Sequence, residues 1–272
     1  MMTHRSAPAA LIAAVGVLGM SAAAANAQVV TLTGPQDFSI HQIGEGVGGF
    51  LPPVIRRDVV DGRFQVNGRN PDPANRLFGQ WTAINIDTSS VFSGPVDQLE
   101  RLTLTIHGAE TRPDSTAQVH PIIFGGTMSI YLTTDGDQNL LNAANGYVWD
   151  INAQNGIGNQ FSDLYLLDTR TFERGTVGVD PTPTWSVDVD LAALGSVILD
   201  QINSGSTFRF IITGIDDTVA SSWYSGVENP KLTAVTNTYT GIAPTVEFVI
   251  PAPGALGLIA GMGLIAARRR RA

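Results

Sequence analysis

The chain has 272 residues, with 15% charged residues, 29 Gly, 15 Pro and no Cys, so disulfides, thiolate zinc sites and cysteine nucleophiles are excluded. Of its 16 Lys and Arg residues, Arg5 and Arg268 to Arg271 are terminal; the remaining 11 face all 24 Asp and Glu, a formal charge of −13 on the middle of the chain. A surface of that sign repels phosphate backbones and excludes nucleic acid as a partner.

The first residues read as an export signal. Arg5 supplies a basic start, Ala9 to Met20 an apolar run, and Ala25-Asn26-Ala27 an A-x-A cleavage site that leaves Gln28 as the mature N-terminus. The protein is therefore expected outside the cytoplasm. Further on, "GEGVGG" sets Gly44, Gly46 and Gly49 at G-x-G-x-x-G spacing, but "FLPP" follows where a dinucleotide site needs a helix, so a Gly-rich loop is expected.

Residues 28–245 are expected to form one body. Period-two alternation, the mark of half-buried strands, runs through 29–33, 63–67, 81–87, "RLTLTIH" (101–107), "TMSIYLT" (127–133), 164–168, "WSVDVDL" (185–191), "TFRFIIT" (207–213), "KLTAVTNTY" (231–239) and 245–250. In "TFRFIIT" the pair Ile211-Ile212 reads as buried on both faces. Clusters of Gly, Pro, Asn and Asp separate these segments, as chain reversals require. About ten short strands without interleaved helices indicate an all-β fold, an antiparallel β-sandwich of jelly-roll-like form. One short helix is expected, with Asp190 as N-cap, Leu191, Leu194, Val197, Ile198 and Ile202 as its apolar stripe and Ser204-Gly205 as its stop. That stripe carries no polar constellation, so the helix is expected to close an end of the sandwich.

The segment from Trp185 through "LDQINSGSTFRFIITGIDD" to "WYSGVENPKLTAV" resembles the C-terminal half of secreted jelly-roll domains. The nearest is the disaggregatase-related family, with Trp185, Asp188, Phe208, Ser225, Glu228, Pro230 and Leu232 at matching positions. The resemblance implies a jelly-roll fold and a link to polysaccharide binding.

Candidate sites are few. Asp135, Asp137 and Asn139 alternate as at the start of a calcium loop, making calcium the one cofactor with ligands on offer; Leu140 and Gly146 stand where an EF-hand needs Gly and Glu, and the alternative is a solvated turn. Trp149, Trp223 and Tyr224 lie in loop-like stretches and could offer a flat platform to sugar rings, the alternative being aromatics tucked over the sandwich edge. Trp185, on the apolar face of its strand, is expected in the core. No G-x-S-x-G or H-E-x-x-H occurs, and no pair among the glutamates is singled out for glycosidase chemistry, so the body is expected to be non-catalytic.

Residues 246–272 are expected to form a sorting segment. Gly254 to Ala267 is fourteen residues without a charge, a helix of roughly 21 Å against a hydrocarbon core of ~30 Å. Arg268, Arg269, Arg270 and Arg271 would stay inside by the positive-inside rule. Pro251, Ala252, Pro253 and Gly254, the apolar run and the terminal arginines together resemble the PEP-CTERM sorting signal of exported bacterial proteins, with Ala252 where that family has Glu. The resemblance implies an exosortase-type partner, transient anchoring in the membrane by the C-terminal helix, and delivery to the cell envelope, surface or extracellular matrix. The expectation is thus an exported, non-catalytic surface or matrix protein with extracellular polysaccharide as the ligand of its body. A structural or adhesive protein binding proteins or itself is the alternative, and an exported glycoside hydrolase the second alternative.

Overall fold

The computed structural model describes residues 27–45, 54–59, 62–69, 79–92, 94–110, 119–135, 140–141, 147–150, 152–226 and 242–251. Within them the fold is all-β and antiparallel, with two sheets stacked on a shared core. The strands are β1 (Gln28–Thr33), β2 (Ser39–Glu45), β3 (Val54–Asp58), β4 (Arg63–Asn67), β5 (Gln80–Asp87), β6 (Arg101–His107), β7 (Ile122–Phe124), β8 (Gly126–Thr133), β9 (Tyr165–Phe172), β10 (Thr184–Asp188), β11 (Thr207–Gly214), β12 (Ala220–Tyr224) and β13 (Thr245–Ile250). The smaller sheet runs β1-β13-β6-β10 and the larger β7-β12-β4-β5-β11-β8-β9, with β2 also on β5 and β3 on β2.

Alternation decides which side chains meet between the sheets. Leu102, Leu104 and Ile106 of β6, with Trp185 and Val187 of β10, face Ile84 and Ile86 of β5 and Phe208, Phe210 and Ile212 of β11 in one buried cluster. The centre of the larger sheet is buried on its other face too. There Ile43, Trp81, Ala83 and Ile211 lie under Leu140, Tyr147, Trp149, Ile157 and Phe161 from the connection between β8 and β9. This double burial is why β11 reads as an almost continuous apolar run.

The helix α3 (Leu191–Ser204) has the expected ends. The Asp190 side chain accepts from the amides of Ala192 and Ala193, and Gly205 closes it at φ 67°, a left-handed conformation that favours glycine. Leu194, Ile198 and Ile202 pack into the inter-sheet core as the chain crosses from β10 in one sheet to β11 in the other. Two single-turn helices accompany it, α1 (Gly34–Asp37) and α2 (Thr88–Val91), which no periodic stripe announces.

β13, which runs past residue 245, is paired on both sides, with β1 and with β6, and one compact unit extends from Ala27 to Pro251. β2, β3, β7 and β12 were not legible as strands; β12 reads "ASSWY", small and polar yet buried, and carries no alternation. The strand expected over 231–239 lies outside the described residues, as do Gly46, Gly49, Glu228, Pro230 and Leu232.

Candidate functional site

The outer face of the smaller sheet is a polar surface laid out by strand register. Because Leu32, Leu102, Leu104, Trp185, Val187, Val246 and Phe248 point inward, their neighbours point out. Strand register lines these up in two rows. One is Thr33–Thr245–Thr105–Ser186 and the other Thr31–Glu247–Thr103–Asp188. Two of the neighbouring pairs are bonded through their side chains, and Arg101 reaches one row from beside it. Thr103 Oγ1 donates to Asp188 Oδ1 at 2.5 Å, the Thr105 and Ser186 hydroxyls lie 2.8 Å apart, and the Arg101 guanidinium pairs with Glu247. At the margin His107 Nδ1 lies 3.2 Å from Thr184 Oγ1, and burial lowers the imidazole below its ordinary 6.5. Chemically this is a sheet of hydroxyls and carboxylates with spare donors and lone pairs, fixed in place by the β ladder. The sequence carried half of the signal, the polar side of "RLTLTIH" and "WSVDVDL"; the pairing that makes rows of them is a tertiary property.

A second polar cluster lies on the outer face of the larger sheet. Arg209, 3% exposed, projects from β11; its Nε donates to Asn85 Oδ1 at 2.6 Å and its Nη1 to the Asp135 carbonyl. Asn85 in turn donates to the carbonyl and hydroxyl of Ser39. Asp163 accepts from Thr133 Oγ1 at 2.7 Å, from the amides of Thr134 and Asp135, and from Thr134 Oγ1. Burial pushes the Asp163 carboxyl up, and these hydrogen bonds outweigh it, holding the group below its ordinary 3.8. His41 Nε2 sits 2.9 Å from Asp58 Oδ1, while its Nδ1 is buried and unpartnered. Burial lowers His41 from 6.5, Asp58 works against that, and Arg209 adds to it. Sequence reasoning passed over Arg209 and Asp163; an Arg between two Phe in "TFRFIIT" is the signal that a charge enters the interior there.

The calcium candidates fare as follows. The Asp135 carboxylate accepts from the amide and hydroxyl of Ser162 at 3.1 and 3.2 Å, so it clasps the two ends of the β8–β9 connection. Asp137 and Asn139 lie outside the described residues. Among the described residues no group of three or more His, Asp or Glu is arranged to hold a metal ion.

The platform expected of Trp149, Trp223 and Tyr224 is corrected by their burial. Trp223 is 0% exposed and lies among Trp185 and Phe172 with its Nε1 donating to Ser221 Oγ at 2.9 Å. Trp149 is 5% exposed, inserted between the backbones of Gly79 and Gly156. Tyr224 is half-buried and hydrogen-bonded to the Glu110 backbone, with burial raising its phenol above the ordinary value. Neither indole presents a face to solvent. In both cases the apolar driving force for covering a large ring prevails where local sequence suggested a loop.

The body begins and ends at one place. Gln28 and Ile250 are register partners at the end of the β1–β13 ladder, so the first residue after the expected cleavage site and the last before the Pro251-Ala252-Pro253-Gly254 motif lie side by side. Ala27 is exposed and Pro251 half-buried. Ala25, Ala252, Pro253, Gly254 and Arg268 to Arg271 lie outside the described residues. Among the described residues no helix is long and apolar enough to cross a membrane.

No family model matches the chain, and no curated protein is similar to it in sequence.

Proposed function

We propose that this is an exported, non-catalytic surface or extracellular-matrix protein that holds polysaccharide on the outer face of its smaller sheet. The observation that carries the reading is the pair of in-register rows, Thr33–Thr245–Thr105–Ser186 and Thr31–Glu247–Thr103–Asp188. Sugar hydroxyls both donate and accept, and a fixed array of hydroxyls and carboxylates offers them both partners. With the tryptophans buried, recognition would run through hydrogen bonds along the strands rather than through ring stacking.

The terminal segments supply the destination. Residues 1–27 act as a cleaved signal peptide, and Pro251 to Ala272 as a PEP-CTERM-like label read by an exosortase-type enzyme after transient membrane anchoring. The adjacency of Gln28 and Ile250 supports this reading, because the residues that follow the cleavage site and precede the sorting motif then share one end of the β1–β13 ladder. Within this reading the sandwich is jelly-roll-like. Asp135 and Asp163 are both held in hydrogen bonds that tie the β8–β9 connection together, which supports a scaffold role for these two carboxylates rather than hydrolytic chemistry. The alternative, a protein that binds copies of itself, is favoured by the exposed edge of β1.

The test is electrophoresis of the full chain through gels containing defined neutral and acidic polysaccharides. Retardation is expected for at least one of them, abolished in Thr105→Val with Ser186→Ala and retained in Ser196→Ala, at an exposed position of α3. Equal mobility in every gel sinks the proposal.

A further inference from the structure

Sheet edges attract other strands unless something blunts them, and among the described residues four of the five terminal strands are blunted. The β10 edge is covered where Arg170 Nη2 donates to the Ser186 carbonyl at 3.0 Å. Next to that, β9 carries Asp168 and Arg170 and has a register shift opposite Ile130/Tyr131. β7 is only 3 residues long, and β3 reads "VIRRD", three charges in five residues. β1 differs. "QVVTLT" has no charge, no Pro and no Gly, among the described residues it pairs on one side only, with β13, and Val29 is 54% exposed.

The ladder identifies which groups face outward. Gly34 N–H bonds to the Pro244 carbonyl, so the even-numbered residues of β1 address β13 and Val29, Thr31 and Thr33 address the free edge. The Thr33 amide is already held by Asp37 Oδ2 at 2.7 Å. Among the described residues that leaves the N–H and C=O of Val29 and Thr31 facing the edge.

We infer that β1 is the interface through which two copies of this chain pair, antiparallel about a two-fold axis at Val30. In that register Val29 stands opposite the partner's Thr31 and exchanges both backbone bonds with it, and Val30 stands opposite the partner's Val30 on the core side. Inward and outward faces match, and the smaller sheet becomes one eight-stranded sheet. The neighbouring register, centred on Thr31, requires the Thr33 amide that Asp37 holds. A second copy also suits the charge: the body as a whole repels its like, yet this strand is neutral along its length.

The experiment is sedimentation of the full chain in detergent solution, for the native sequence and for Val29→Lys, a change at an exposed position. The native chain should dimerise reversibly, and Val29→Lys should weaken the dimer at least tenfold. Because the chain has no Cys, Val30→Cys gives one thiol per copy. Across a non-hydrogen-bonded pair about 4.5 Å apart it should oxidise to a covalent dimer, whereas Ser196→Cys should not. A native chain that stays monomeric, a dimer equally strong in Val29→Lys, or a dimer in which Val30→Cys fails to cross-link overturns the inference. So does hydrogen-exchange protection of the Val29 and Thr31 amides in a monomer, which would assign the edge to another segment of the same chain.

Discussion

Trp185 Nε1 donates to Asp168 Oδ2 at 2.8 Å, joining β10 of the smaller sheet to β9 of the larger. The same carboxylate accepts from Arg170 Nε at 2.8 Å, and that guanidinium lies 5.7 Å from the indole centroid. One side of the sandwich is thereby closed by polar bonds. Trp185→Phe keeps a ring in the core but removes a hydrogen bond to a charged acceptor, a loss of about 2 kcal/mol. Asp168→Asn, which retains an acceptor, should lose about half as much. Urea unfolding midpoints check the order, and equal stability of the native protein and Trp185→Phe contradicts it.

The Trp149 indole fixes two glycines. A Cβ on Gly79 would fall 2.1 Å from the ring and one on Gly156 2.2 Å from it, and Gly156 also sits at φ 66°. Overpacking of this kind costs about 1–3 kcal/mol, and the left-handed backbone adds about 1 kcal/mol for a residue with a side chain. Gly156→Ala should therefore destabilise more than Gly79→Ala, with a shift in tryptophan emission as Trp149 is displaced. Gly94→Ala, with open space around it, should leave both stability and emission unchanged.

How much of this could be read from the sequence follows from range. β6, β4 and β11 were legible residue by residue, since alternation is local and each strand has at least one consistently buried face. So were Asp190 and Gly205 at the ends of α3, because capping acts within four residues. The burial of Trp149 was not legible: it depends on Gly79, seventy positions away in sequence. Nor were the hydroxyl rows, since Thr33, Thr105, Ser186 and Thr245 become neighbours only through strand order.

Acid should destabilise the fold in two steps. His41 and His107 have folded values below 6.5, both with burial as the leading cause. The unfolded chain therefore binds more protons as pH falls past 6.5, and stability declines over that window. Asp163 and Asp168 are held below 3.8, burial opposing and hydrogen bonds prevailing. Their contribution is present above 3.8 and is lost as pH falls through their folded values. Melting temperature against pH should decline between pH 7 and 5 and again below 4; a curve flat from 7 to 5 contradicts the first step.

Arg209 couples the β8–β9 connection to the sheet beneath it, so its removal should have both a mechanical and an electrostatic consequence. Arg209→Met keeps the length of the side chain and leaves Asn85 Oδ1 and the Asp135 carbonyl without their donor. An unsatisfied buried acceptor costs about 1–3 kcal/mol, and the clasp formed by Asp135, Ser162 and Asp163 should become more accessible to protease. The guanidinium also lowers the His41 pKa, so the imidazole of the variant should titrate at higher pH than in the native protein. An NMR titration of the His41 ring protons separates the two effects. An unchanged His41 midpoint in a folded variant would show that Arg209 does not act on it through charge.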